Sequence, residues 1–191
     1  MNTLAMIFIG AALVHNLVLT QFLGADSFFG VSGQVKASVV MGAAVMFLLT
    51  VVSAVASLFQ DLLLTPLNLG FLRTFVFVLV TVVLAWVVRK FLQECVPEAN
   101  QALRLCYPYL LGNTAVLGVA LTNAQSGYDF GQCVFSGFSA GLGYAVVLFL
   151  FACIRAQIRE DDVPETLRGA PVVLLAAALM SIAFMGFANL S

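Results

Sequence analysis

The chain has 191 residues, of which 62% are hydrophobic and 9% charged, with a formal net charge of -1, and its mean hydropathy is +1.08. Soluble domains carry about 25% charged residues, so the composition excludes a soluble globular domain and points to an integral membrane protein. The near-neutral charge and the dispersal of the basic residues exclude a nucleic-acid-binding surface.

A helix that crosses a bilayer needs about 20 mostly apolar residues, and six stretches meet or approach that length, near 2–23, 37–59, 70–88, 107–124, 131–154 and 170–190. They are continuously apolar, without the alternation over about ten residues that marks barrel strands, which selects helices. The expected fold is an all-α membrane protein with six transmembrane helices in a single polytopic domain over 1–191. The first span, Met1 to Leu23, lacks a basic start and a small-residue cleavage pattern, so it is expected to stay rather than be removed as a secretory signal.

Orientation follows from the basic residues, because cytoplasmic loops retain positive charge. Lys36 follows span one, Arg89, Lys90 and Arg104 follow span three, and Arg155, Arg159 and Arg168 follow span five; Arg73 alone lies on the other side. Both termini are expected on the non-cytoplasmic side. Between spans three and four, apolar residues mix with charges and Pro97 divides the segment, which reads as a short interfacial connector. After span five, Glu160, Asp161, Asp162 and Glu165 lie among the three arginines, either as a solvated loop or as a docking surface for a soluble partner. The four cysteines, Cys95, Cys106, Cys133 and Cys153, have no metal-ligand spacing and read as small buried hydrophobes.

Span four is interrupted. From Leu111 to Leu121 it carries Asn113 and Thr114 between Gly112 and Gly118, shortly after Pro108, and this is too polar and glycine-broken for an ordinary span. Displacing the sequence on itself by 97 positions places Asn16 on Asn113, and the first three spans then match the last three. Three is an odd number, so the second copy runs the opposite way and the halves, about 1–96 and 97–191, form an inverted repeat. In such proteins, interrupted segments at corresponding places of the two halves point to the site. Spans one and four are that pair, expected as interrupted half-helices, with His15, Asn16, Thr20 and Gln21 in the first and Asn113 and Thr114 in the second.

Polar side chains inside hydrocarbon must face protein or a water-filled path. His15, Asn16, Thr20 and Asn113 are therefore candidates to line an ion path, and interhelical hydrogen bonding without transport is the alternative. Asp26 could cap a helix, bind a cation or sit among headgroups. Spans two and five carry Ser38 with Gly42 and Gly137 with Gly141, small residues four apart that permit close helix packing.

The blocks Phe22-Leu23-Gly24, Gly30-Val31-Ser32, Ala115 to Leu121, Gly137-Phe138-Ser139-Ala140, Asp162-Val163-Pro164 and Leu179-Met180-Ser181, in this order, resemble the A-subunit family of the Rnf electron-transport complex. The resemblance covers essentially the whole chain, and the family is related to the sister subunit of the sodium-translocating NADH:quinone reductase. It implies a six-helix inverted-repeat subunit of the bacterial inner membrane. Such a subunit pairs with a homologous subunit of opposite topology and works with flavin and iron-sulfur subunits while sodium or protons cross. In the family, the pair holds a [2Fe-2S] centre on two cysteines from each partner. At the positions where the resemblance implies those cysteines, this chain has Asp26 and Thr114. Both are hard oxygen donors, suited to sodium or magnesium rather than to iron-sulfur, so no cofactor is expected on this chain's own ligands and no metal site is assigned. Three functions remain open: a non-catalytic membrane subunit of an ion-translocating oxidoreductase, a stand-alone ion transporter or channel on the same scaffold, and a structural or assembly subunit.

Overall fold

A backbone surrounded by hydrocarbon must satisfy its polar groups internally, and helices do this within a single segment. In a computed structural model, which describes residues 3–14, 16–95, 100–159 and 163–186, all regular structure is helical. Helix α1 (Thr3–Ile9) passes into a π-helical turn (Gly10–Val14), and α2 (Asp26–Gly30) is a short helix further on. Helix α3 (Val35–Phe59) ends in a second π-helical turn (Gln60–Leu64), and α4 covers Arg73–Cys95. Helices α5 (Asn100–Leu111) and α6 (Thr114–Ser126) follow, then the long α7 (Phe130–Gln157) and finally α8 (Ala170–Met185). His15, Pro97, Glu160, Asp161 and Asp162 lie outside the described residues.

Three helical stretches are long and apolar enough to cross a membrane, Val35–Leu64, Gly70–Glu94 and Phe130–Gln157, and they coincide with spans two, three and five. Ala5–Val14 and Ala170–Met185 are apolar but shorter. Span four divides into α5 and α6, and span one gives way after Val14 to turns over Leu17–Gln21.

Helices α3 and α7 form the centre, and the small residues explain how closely they approach. A methyl group on Gly141 would stand 2.6 Å from Met46 Cα, one on Gly137 would stand 2.8 Å from the Leu49 carbonyl oxygen, and one on Gly42 would stand 3.0 Å from Ala145 Cα. Removing side chains at these positions lets the backbones pack directly, the main source of helix association where lipid supplies no hydrophobic drive. Around this pair, Met41, Val45, Leu48, Val147, Leu148 and Phe151 are buried. Helices α4 and α8 turn apolar side chains outward instead, including Phe75, Leu79, Trp86, Leu179 and Ile182. Water would penalise so large an apolar surface, and lipid accepts it.

Arg89, Lys90 and Arg155 lie on helices rather than in loops. Helix α4 continues past Arg89 and Lys90 to Cys95, because both cations are housed on aromatic faces, Arg89 at 4.6 Å from the Tyr107 ring centre and Lys90 at 4.3 Å from that of Trp86. Helix α7 likewise includes Arg155 in its last turn.

Candidate functional site

The second break is written in the local chemistry. Pro108 lies inside α5, where it supplies no amide hydrogen to the ladder, and the helix ends at Leu111. Asn113 then turns extended, with φ -68° and ψ 108°, and its side-chain oxygen accepts the Ala115 amide hydrogen, so it caps α6. That bond measures 3.0 Å, and it satisfies one of the donors left free at a helix start.

The first break uses the same device. Asn16 Oδ1 accepts the Val18 amide hydrogen at 3.1 Å, and Asn16 Nδ2 donates back to the Ala12 carbonyl at 2.9 Å. Thr20 sends its hydroxyl to the Asn16 carbonyl at 2.7 Å, and its amide reaches the same oxygen at 2.9 Å. Phe22 and Gly24 both have positive φ, 57° and 74°, so the chain reverses here, at a conformational cost for Phe22 that glycine avoids.

The two breaks meet. The Gly24 amide donates to Thr114 Oγ1 at 2.9 Å. Asn113 Nδ2 donates to the Tyr144 hydroxyl at 3.3 Å, and that hydroxyl donates to Ser27 Oγ at 2.7 Å. A methyl group on Gly24 would stand 2.9 Å from both Asn113 Oδ1 and Tyr144 Cε2. Glycine is required at this position twice over, by its φ and by the space. Gly143 plays the matching part for the first break, since a methyl group there would stand 2.8 Å from Ala12 Cα and 3.0 Å from Asn16 Nδ2. Neighbouring residues halfway along the 28-residue α7 therefore receive both breaks.

Two further sets of bonds hold the first break against the bundle. Arg155 Nη1 donates to the carbonyls of Phe28 and Phe29, at 3.2 and 3.4 Å, and to Ser32 Oγ at 2.9 Å. The guanidinium so occupies the carbonyl end of α2, where a cation is favoured. Ser181 Oγ donates to the Leu19 carbonyl at 2.7 Å and ties the turns to α8.

Of the residues singled out from the sequence, Asn16 and Asn113 are buried at the two breaks, Asp26 is half-buried at the start of α2, and Thr114 and Thr20 reach the surface of the chain. Asn16 and Asn113 each bond within their own break, and α7 lies between their roles. His15 lies outside the described residues. Tyr144, Ser27 and Arg155 complete the arrangement, although none was singled out as a candidate. The available signal was Tyr144 itself, whose hydroxyl in an apolar span needs a partner. The cysteines are placed differently: Cys106 Sγ faces the Ala37 carbonyl at 3.7 Å and Cys133 Sγ the Tyr128 carbonyl at 3.5 Å. Cys106, Cys133 and Cys153 are all free of disulfides, and no group of three or more His, Cys, Asp or Glu gathers to hold a metal among the described residues.

The junction thus offers oxygen atoms from Thr114, Ser27, Tyr144, Asn113 and the neighbouring Asp26, set among apolar helices. Interrupted segments meeting within a helical membrane bundle are the arrangement on which ion-handling membrane proteins build their sites. The chain belongs to the Rnf-Nqr subunit family of membrane proteins, whose profile matches residues 4–191. It is 43% identical over 188 residues to the A subunit of the Na(+)-translocating ferredoxin:NAD(+) oxidoreductase complex of Acetobacterium woodii, covering 98% of each chain. It is also 43% identical over 185 residues to the A subunit of the ion-translocating oxidoreductase complex of Histophilus somni, covering 97% of this chain and 96% of that one. Against the protein of the same name from Escherichia coli the identity is 40% over 190 residues, covering 100% of this chain and 98% of that one.

Proposed function

We propose that this chain is the A subunit of an Rnf-type ion-translocating oxidoreductase complex, a non-catalytic membrane component that couples electron transfer through the complex to movement of sodium ions or protons. The observation that carries this reading is the bond from the Gly24 amide to Thr114 Oγ1, which joins the two breaks into one polar junction. The names of relatives that match end to end support it.

The architecture behind the site is a six-span inverted repeat. Helices α4 and α8 begin at Arg73 and Ala170. The two starts are separated by 97 positions, the same displacement that superposes Asn16 on Asn113, and both asparagines cap the backbone two residues ahead. The shortness of the broken segments is offset by pairing, since each break needs the other's polar groups. Basic residues place the ends near Lys36 and Arg155 in the cytoplasm of a bacterial inner membrane, with both termini outside. Thr114, exposed as a residue, and the exposed turn at Thr20 to Phe22 form the face offered to a homologous subunit of opposite topology, with flavin and iron-sulfur subunits completing the complex.

The donor set does not fit a [2Fe-2S] centre. Iron-sulfur clusters are held by thiolates, whereas the junction presents a hydroxyl already bonded to an amide, a tyrosine, an asparagine and a carboxylate. Ion binding is what such oxygens do well. The same donors favour a second reading, a transporter that runs on this scaffold without a redox partner.

Electron-donor-driven sodium uptake into proteoliposomes carrying the complex separates these readings. Uptake that needs both the donor and this chain supports the role within the complex. Uptake by the isolated chain without a donor supports the transporter. A complex that pumps at full rate after deletion of this chain contradicts both.

A further inference from the structure

Where α7 ends and α8 begins, Arg155 and Arg168 line one cavity of about 120 Å³, with Ile158, Val172, Val173 and Ala176 forming most of the rest of its wall. Helix α7 lies in a segment long enough to cross a membrane, Phe130–Gln157, so Arg155 in its last turn stands where the helix emerges among lipid head groups. From two guanidiniums beside apolar side chains at that level, we infer that the cavity holds the phosphate head group of an anionic phospholipid. Such a site is independent of the proposed role in ion translocation.

Charge balance points to an anion. Arg155 bonds through Nη1 to the carbonyls of Phe28 and Phe29 and to Ser32 Oγ, and Arg168 bonds through Nε to the Val163 carbonyl at 3.0 Å. All these acceptors are neutral, and each guanidinium fork has further N–H donors to offer a ligand. Among the described residues the lining contains no carboxylate, and Glu165, the acidic residue of the described part of this loop, is not in it. Two like charges beside one cavity repel until an anion joins them, and arginine matches a phosphate group with paired hydrogen bonds. Gly169, also in the lining, starts α8 without a side-chain cap, and the helix start adds a field that favours the same charge.

Size and surroundings select a lipid. Pockets that enclose whole drug-sized ligands hold about 300–1,000 Å³, so this smaller cavity accommodates a head group while the rest of the ligand lies outside. The outside is apolar. Val172, Leu175, Ala176 and Leu179 follow one another at helical spacing on one side of α8, and Leu175 and Leu179 are exposed. An acyl chain covers such a face, whereas a free phosphate leaves it bare. Basic pockets between membrane helices on the cytoplasmic side bind lipid head groups, and the cations at this end of the bundle place the cavity on that side.

The test is native mass spectrometry of the delipidated whole complex, titrated separately with phosphatidylglycerol, with phosphatidylcholine of the same chains and with inorganic phosphate. The wild type is expected to hold a phosphatidylglycerol that neither of the other two replaces, a comparison that needs no variant to assemble. Arg168→Gln is expected to weaken that binding about tenfold, a loss of about 1.4 kcal/mol, so that one lipid fewer is retained at concentrations that fill the wild type. Arg168→Lys, which keeps the charge, should restore most of it. Arg159→Gln removes a charge from the same end at an exposed residue outside the lining, and should leave retention unchanged. Equal losses in the Arg159→Gln and Arg168→Gln complexes would reduce the effect to general surface charge and overturn the site. Equal binding of phosphatidylcholine would make the contact purely apolar, and equal binding of inorganic phosphate would make it a free-anion site; either overturns the inference. Unchanged lipid retention with loss of a soluble subunit from the Arg168→Gln complex would assign the arginines to an acidic protein surface and overturn it as well.

Discussion

The Thr114 hydroxyl accepts the Gly24 amide hydrogen at 2.9 Å, although 90 positions separate the two residues in the chain. Gly24 is buried, so its amide has no water to fall back on, and an orphaned buried donor costs about 1–3 kcal/mol. Thr114→Val, which keeps the shape and removes the acceptor, should lower stability by about that amount, read as a fall in the thermal midpoint of the purified complex. Thr114→Ser should restore most of it. Equal midpoints for the valine and serine variants would show that the hydroxyl does not hold the junction.

Tyr144 bridges Asn113 and Ser27 with a single hydroxyl. Tyr144→Phe leaves both partners short of a bond and should destabilise by about 1–3 kcal/mol. Ser27→Ala should then add little on the phenylalanine background, because the bond it would remove is already gone. A double-mutant cycle by chemical denaturation checks this; strict additivity of the two losses would mean that the residues act independently.

Close packing of α3 on α7 gives a third expectation. Gly141→Val would drive a side chain into Met46 Cα, which stands 2.6 Å from a bare methyl group, and overpacking of this kind costs about 1–3 kcal/mol or more. Gly131→Ala, at a position where a methyl group meets nothing within 4 Å, should be near neutral. Detergent-extracted yield and midpoint of the two variants, measured side by side, decide the matter.

Arg155 holds the carbonyl end of α2 and Ser32 with one nitrogen. Hydrogen bonds to charged groups contribute about 1.5–3 kcal/mol, so Arg155→Gln should loosen the turn between Gly24 and Gly33 and raise its amide exchange. Arg155→Lys should rescue only partly, because an ammonium lacks the planar fork. Unaltered exchange in the glutamine variant would contradict this role.

Much of the site was legible in the sequence because its signals are local. Pro108, Gly112 and Asn113 stop one helix and start the next within a few residues, and the repeat pointed from there to Asn16. The glycines at 42, 137 and 141 likewise marked spans two and five as faces for close helix packing, although not that the two pack on each other. What escaped depends on reach across the bundle. Nothing near Tyr144 in sequence says that its hydroxyl meets Ser27, 117 positions away, and Arg155 read as a loop cation because its partners are mostly backbone carbonyls, which every sequence contains. The π-helical turns at Gly10–Val14 and Gln60–Leu64 were equally invisible, since an extra residue in a turn leaves apolar periodicity almost unchanged.

The central claim is that the junction of the two breaks works through oxygen donors, with no thiolate supplied by this chain. Iron content and electron paramagnetic resonance of the complex, compared before and after Cys95, Cys106, Cys133 and Cys153 are replaced together by serine, test it most directly. The account predicts the same iron per complex and the same spectrum in both preparations. Loss of a cluster signal from the folded, cysteine-free variant would contradict it.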